Sequence, residues 1–368
     1  MTLDVQSLIR PDIAAMDAYT PILPFEVLSE QLGYAADDLV KLDANENPYG
    51  PSPAALEALA ALKRTVPIYP DPEARQLRAA LAGYVKVPPE NILCGAGADE
   101  LIDLILRLFI APGDVVLNCP PTFGMYRFDA DLNGALTVSI PRRPDFSLDL
   151  PAIEASVQQY NPKLLFVCSP NNPDGSTISP ADLDRLLTLP LVVVLDEAYI
   201  EFADQPSAAA RVLSTPNLIV LRTFSKWAGL AGLRIGYGVF PLDLMAHLWK
   251  IKQPYNVNVA ADAAARASLA DLDTLRANVV RLKTERPRLF DALSGLPYLD
   301  PYPSQSNFIL CRVRGLDAGY LKRTLAEEHG ILIRYFDKPG LTDHIRISVG
   351  MPAQTDKLIA ALQSLTPE

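Results

Sequence analysis

Three near-continuous apolar runs constrain this chain more than any other feature: Lys163–Cys168 (KLLFVC), Leu191–Leu195 (LVVVL) and Asn217–Arg222 (NLIVLR). A strand with one face in water alternates apolar and polar residues. A run without that alternation belongs to a strand covered on both faces, as in a parallel sheet between two helix layers. Asn91–Cys94, Val115–Asn118 and Ile235–Val239 read as further strands. After Asn91–Cys94 comes Asp99–Ile110, with apolar residues at helical spacing (Leu101, Leu104, Ile105, Leu108). Strands separated by helices in this order predict an α/β fold, a mainly parallel sheet with helices on both faces. In such sheets, sites gather at the carboxyl ends of the strands.

A length of 368 residues exceeds one ordinary core and predicts two domains. We expect residues 1–45 to form an N-terminal arm and part of a small domain. Residues 46–255 are expected to form the large domain and residues 256–368 a smaller α+β domain. A charged, aromatic helix around Leu248–Pro254 leaves the large domain. A long helical stretch follows Ala260, with strands near Asn307–Val313 and His344–Val349.

A formal charge of −10, from 33 Lys+Arg against 43 Asp+Glu, argues against a broad nucleic-acid surface. Small anions stay possible, since a few local arginines override a negative average. No window approaches the apolar length of a membrane span. The start, MTLDVQSLIRPDIAAMDAYTP, is acidic and lacks an apolar run, so neither a signal nor a transit peptide is expected and the expected location is cytoplasmic. Cys94, Cys119, Cys168 and Cys311 form no CxxC pair; three lie in strand-like runs and read as buried, reduced thiols. His247, His329 and His344 are scattered, and no metal site is expected.

The residues that carry chemistry follow the apolar runs. Arg222–Gly238 reads RTFSKWAGLAGLRIGYG, with Lys226 just past a buried strand, Thr223 and Ser225 beside it, and Arg234 beyond a Gly-rich stretch. A lysine in a protein pocket condenses with a carbonyl, and hydroxyls with an arginine hold a phosphate. The plainer reading is a surface loop closing an αβ unit. Asp196 ends LVVVL in the segment LDEAYIEF. A carboxylate there suits a pyridinium nitrogen, and Tyr199 suits a ring oxygen. DEAY alone also resembles a Walker-type acidic strand end, but no GxxxxGK[ST] loop accompanies it. SPNNPDG (Ser169–Gly175) is an ordinary turn or, in this context, a way to present the Asn172 amide. GAGADE opens a helix whose first N–H groups face an anion. It is not the dinucleotide fingerprint, because Asp99 and Glu100 occupy the later positions. PPTFGMY offers Phe123 as a stacking face. Arg334 in ILIRYF and Arg346 in HIRISVG are either paired strand arginines or anion ligands.

Taken together, LDANENPYGPSP (Leu42–Pro53), YPDPE (Tyr69–Glu73), GADE, PPTFGMY, SPNNPDG, LDEAYIEF, RTFSKWAGLAGLRIGYG, KQPYNVN (Lys252–Asn258), SNFIL and IRISVG resemble the histidinol-phosphate aminotransferases. These are class II pyridoxal-phosphate enzymes of aspartate aminotransferase fold type I. The likeness runs from Leu8 to Leu362. It implies pyridoxal 5'-phosphate as cofactor, Lys226 as its covalent anchor, Asp196 on the ring nitrogen, and Tyr199 with Asn172 on the ring oxygen. It also implies Thr223, Ser225, Arg234 and the backbone of Gly97, Ala98 and Asp99 on the phosphate. Tyr69 would reach that phosphate from the other subunit of a homodimer. Arg334 and Arg346 would bind the substrate anion, with Tyr19 and Asn45 nearby. The implied reaction exchanges an amino group between glutamate and imidazole acetol phosphate, in histidine biosynthesis. Two departures stand out: Phe123, where many members have tyrosine, and PNNPDG for the commoner PNNPTG. Rival readings are an aminotransferase of aromatic amino acids, a threonine-phosphate decarboxylase and a non-catalytic regulator module. The last needs a DNA-binding domain for which this length leaves no room.

Overall fold

The computed structural model describes residues 3–16 and 23–365. Among them are twelve strands: β1 (Val40–Leu42), β2 (Ile92–Gly95), β3 (Val115–Asn118), β4 (Leu136–Ser139), β5 (Leu164–Cys168), β6 (Val192–Asp196), β7 (Leu218–Thr223), β8 (Gly236–Val239), β9 (Leu299–Pro301), β10 (Phe308–Val313), β11 (Ile331–Tyr335) and β12 (His344–Ser348). Seven form a sheet in the order β2-β8-β7-β6-β5-β3-β4. β8 runs antiparallel to both its neighbours, and the other pairings are parallel. The mainly parallel α/β fold expected from the apolar runs is therefore the fold observed.

The reason for those runs is visible in their packing. Every residue of β5 and β7 is buried. Alternate residues go to opposite faces. Leu165, Val167, Val193, Leu195 and Val220 join one apolar cluster, while Leu164, Phe166, Cys168, Val194, Ile219 and Leu221 join another. The second cluster contains Leu101, Leu104 and Ile105 from the helix Gly97–Phe109. Each such fully buried side chain contributes about 1.5–3 kcal/mol. β4 carries no comparable run because it is a sheet edge with partly exposed residues.

The remaining strands form a second sheet, β1-β11-β12-β10-β9. Here β1 pairs in parallel with β11, matching Val40 to Ile331, so the chain's early residues share a sheet with its tail. The first apolar cluster continues into this sheet through Ile309, Cys311, Ile345 and Ile347. The aromatic helix begins earlier than expected and spans Leu242–Ile251. It stops before Gln253, which precedes Pro254 and so disfavours helical geometry. The long helical stretch after Ala260 is two helices, Val259–Ala270 and Leu272–Ser294, separated at Asp271 (φ −117°, ψ 47°). Asn258 caps the first by accepting from the Ala261 amide at 2.8 Å. All four cysteines are free and buried. No helix among the described residues is long and apolar enough to cross a membrane.

One close approach holds the Lys226 loop against the DANENPYG segment. Gly229 has φ +68°, and a Cβ there would lie 2.4 Å from the Gly50 carbonyl carbon and 2.7 Å from the Pro51 nitrogen. Backbone cannot yield as a flexible side chain can. Gly229→Ala should therefore destabilise the protein by about 1–3 kcal/mol or more, combining a strained φ with overpacking. Urea unfolding reads this directly, and an unchanged midpoint would contradict the packing described.

Candidate active site

Because β5, β6 and β7 are parallel neighbours, their carboxyl ends lie side by side. Cys168 is paired with Asp196, and Asp196 with Leu221, in register. The segments leaving these ends therefore deliver Asn172, Asp196, Thr223, Ser225 and Lys226 to one region.

Asp196 is the deep carboxylate, 3% exposed. Its Oδ1 accepts from the Ala198 amide at 3.0 Å and its Oδ2 from the Tyr126 hydroxyl at 2.5 Å. Burial pushes the carboxyl up to about 6, while those two donors pull it down. Tyr126 is fully buried, stacked on Phe166 at 5.0 Å and met edge-on by Phe123 at 5.5 Å. Sequence reasoning passed over Tyr126, although it lies in PPTFGMY three residues beyond Phe123. Nothing in the motif tells which carboxylate a buried tyrosine will meet.

The half-buried Lys226 donates from Nζ to the Ala44 carbonyl at 3.1 Å. Burial, assisted by the nearby Arg346 charge, lowers its ammonium to about 8. Its Nζ also lies 6.0 Å from the Tyr199 ring centroid. Tyr199 is buried and meets Phe308 edge-on at 5.1 Å. Behind the lysine loop, Trp227 stacks on Tyr84 at 5.4 Å. Tyr84 in turn lies 5.1 Å beneath the guanidinium of Arg222, which is paired with Glu201 at 2.5 Å. Breaking such a buried pair typically costs about 3–5 kcal/mol.

The start of the helix Gly97–Phe109 lies against Arg234. Gly97 has φ +83°, and a Cβ there would sit 2.5 Å from Arg234 Nη2. The positive φ favours glycine there, and a side chain would also push aside the end of the Arg234 side chain. The first N–H groups of a helix have no intrahelical acceptor. One neighbour is already satisfied: the Ala96 amide donates to Glu100 Oε2 at 2.6 Å, and Asn256 donates to the same oxygen at 2.7 Å. Arg234 pairs with the Asp99 carboxylate at 2.8 Å. Thr223 and Ser225 are both buried, and the Thr223 hydroxyl donates to Ser225 Oγ at 3.0 Å.

The smaller sheet supplies two guanidiniums. Arg334 and Arg346 stand directly opposite on β11 and β12. Like charges at facing positions repel, so an anion between them is favoured. Arg346 donates to Asn172 Oδ1 at 2.5 Å and to the Asp43 carbonyl at 2.7 Å. Arg334 has no carboxylate partner among the described residues and lies 5.8 Å from the Phe336 ring.

The Asn45 side chain is turned inward, with Nδ2 on the Tyr199 hydroxyl at 3.1 Å and Oδ1 accepting from Ser348 at 3.1 Å. Tyr69 is 79% exposed and stacks on Tyr255 at 4.7 Å. Tyr19 lies outside the described residues.

A helix N-terminus beside an arginine, a deep carboxylate and an amine of lowered basicity together suit a pyridine ring with a phosphate arm and an aldehyde. Fold and site together define a pyridoxal-phosphate-dependent aminotransferase. The comparisons with known proteins agree. The model of aminotransferase class I and II matches residues 37–362. The histidinol-phosphate aminotransferase of Roseiflexus castenholzii is 54% identical over 99% of this chain and 100% of its own. The chloroplastic histidinol-phosphate aminotransferase of Nicotiana tabacum is 54% identical over 96% of this chain and 86% of its own. A crystal structure of the histidinol-phosphate aminotransferase from Sinorhizobium meliloti, in complex with pyridoxal-5'-phosphate, covers 98% of both chains at 32% identity and a TM-score of 0.88. The chain belongs to the aminotransferase class I and II family.

The lowered basicity of Lys226 has a direct readout. In cofactor-free protein, an amine-directed electrophile should label Lys226 with a rate that rises through about pH 8. Arg346→Gln removes a positive neighbour and should move that midpoint upward. Labelling that follows an ordinary lysine in both proteins would remove the basis for an activated amine.

Proposed function

We propose that this enzyme exchanges an amino group between glutamate and imidazole acetol phosphate, forming 2-oxoglutarate and histidinol phosphate in histidine biosynthesis. The observation that carries the substrate is the 54% identity, across essentially the whole of both chains, to a protein named for that activity. The facing pair Arg334 and Arg346 supports it, since both substrates are anchored through an anion. The rival readings, an aromatic aminotransferase and a threonine-phosphate decarboxylase, are not favoured by the relatives.

When bound, pyridoxal phosphate supplies an electron sink for charge at the substrate's amine-bearing carbon. Lys226 anchors the cofactor and then moves a proton at that carbon, a task suited to an amine near 8. The Asp196 carboxylate holds a proton on the ring nitrogen, and the Tyr126 and Ala198 donors favour its charged form. Tyr199 donates its hydroxyl to the ring oxygen. Asn172 would offer its amide there too, its own oxygen being held by Arg346. Arg234, Thr223, Ser225 and the N–H groups of Gly97, Ala98 and Asp99 hold the phosphate. Phe123 would stack against one face of the ring.

We assign the large domain to residues 46–255 and the small one to residues 1–45 with 256–368. We also assign a homodimer in the cytoplasm. Tyr69 is exposed on one copy and would contact the phosphate of the other, while Tyr19 would lie near the substrate.

Arg346→Ala should lower kcat/KM for both substrates, since losing a buried charged partner costs about 2–5 kcal/mol, at least ~30-fold. Arg334→Ala should harm histidinol phosphate more than glutamate, because a dianion uses a second guanidinium that a carboxylate does not need. Single-turnover spectra of each half-reaction separate these effects. Phenylalanine turning over faster than histidinol phosphate, or carbon dioxide released from threonine phosphate, would transfer the assignment to a rival.

For assembly, sedimentation should give a dimer. Mixing inactive Tyr69 and Lys226 variants should restore partial activity through one composite site per hybrid. A fully active monomer is the contrary result.

A further inference from the structure

A chain of buried hydrogen bonds links the small sheet to Tyr199, and the polarity of that chain follows from its members. Ser348, 3% exposed at the end of β12, accepts from the Asn45 amide N–H at 2.9 Å. Its hydroxyl donates to Asn45 Oδ1 at 3.1 Å. That leaves Asn45 Nδ2 facing Tyr199, to whose hydroxyl oxygen it donates at 3.1 Å. In the reverse amide orientation Ser348 would receive two N–H groups. Its own proton would then have no acceptor among the described residues, in a buried place where an unpaired donor is costly.

Asn45 itself has little freedom to turn. It is 1% exposed, sits at φ 56°, and its carbonyl accepts from Asn307 Nδ2 at 2.9 Å. The Tyr199 ring is held edge-on to Phe308, which pairs with Ser348 across β10 and β12. The phenol oxygen therefore already has a donor, and its own proton must point to some other acceptor.

We infer that Asn45 is a positioning residue that, oriented by Ser348, directs the Tyr199 hydroxyl proton onto the cofactor's ring oxygen. This rests on the reading that Tyr199 meets that oxygen. Asn45 thus acts through Tyr199 rather than by touching substrate through its side chain. The small sheet, which also carries Arg346 two residues from Ser348, gains a polar connection to the cofactor.

The test uses the visible absorption of the loaded enzyme titrated against pH. The band reports the proton shared between the ring oxygen and the nitrogen joining the cofactor to Lys226. A donor on the ring oxygen withdraws charge from it and weakens its hold on that proton. Tyr199→Phe should therefore raise the spectroscopic midpoint by about one pH unit, the size expected for a lost hydrogen bond to a charged group. Asn45→Asp is nearly isosteric but replaces the donor with an acceptor, drawing the Tyr199 proton away. Ser348→Ala adds no charge and frees the amide to reverse.

Both variants should raise the midpoint in the wild-type background; once Tyr199 is phenylalanine the Ser348→Ala shift should vanish and the Asn45→Asp shift should shrink to the part its added charge supplies. If Tyr199→Phe shifts the midpoint while Ser348→Ala and Asn45→Asp do not, the positioning role is wrong and the Tyr199 contact stands. Shifts that persist undiminished beside Tyr199→Phe also overturn it, since they act by charge or packing alone. If Tyr199→Phe leaves the midpoint unchanged, the Tyr199 contact itself is wrong. A purely structural role for Asn45 predicts a lower melting temperature with an unmoved midpoint. Should Asn45→Asp fail to fold, Ser348→Ala carries the same comparison.

Discussion

Three consecutive backbone carbonyls organise this active site. The carbonyl of Asp43 accepts from Arg346, that of Ala44 from Lys226 Nζ, and that of Asn45 from Asn307. They belong to the segment that leaves β1 in the small sheet and enters the large α/β region. A buried cationic donor needs an acceptor, and main-chain oxygens supply one without a full negative charge. A carboxylate in contact with Lys226 would hold its proton more firmly. A carbonyl does so far less, and burial with the Arg346 charge then lowers the amine to about 8. Position and reactivity of the lysine thus have the same origin.

The opposite problem is solved at Asp196. Burial alone would neutralise a carboxyl there, and it is already raised to about 6. The Tyr126 hydroxyl and the Ala198 amide oppose that tendency. Tyr126 can do so because Phe166, on β5, faces the same side of the sheet as Cys168 and supports its ring. The period-two alternation that packs the sheet therefore also sets the electrostatics of its carboxyl edge.

Guanidiniums divide by environment rather than by residue type. Arg222 is locked in the interior against Glu201 and two tyrosine rings, where it supports the lysine loop. Arg234 is exposed beside the Gly97 helix terminus. Arg334 and Arg346 face one another across two paired strands, a juxtaposition of like charges that a nearby anion would relieve. Read in the sequence, all four are arginines next to apolar residues.

Much of the fold was legible without coordinates. KLLFVC, LVVVL and NLIVLR predict buried parallel strands because continuous burial leaves no room for alternation, and β5, β6 and β7 are those strands. That Lys226, Asp196 and Asn172 gather at one edge of the sheet was legible for the same reason: each closely follows such a run, and parallel strands bring their carboxyl ends together. Those are local properties, written in residues close along the chain. What only the tertiary structure decided are contacts between distant segments. Tyr126 meets Asp196, Asn45 meets both Tyr199 and Ser348, and Arg334 is opposed to Arg346 by strand register. The carbonyls of Asp43 and Ala44 are invisible in a sequence, since every residue has one and only folding selects which are aimed at a lysine or an arginine. Sequence determines which side chains are available at each strand end, because hydrophobic periodicity is local. The packing of two sheets determines which proton each of them holds, because hydrogen-bond direction and desolvation depend on neighbours as far as 303 residues away.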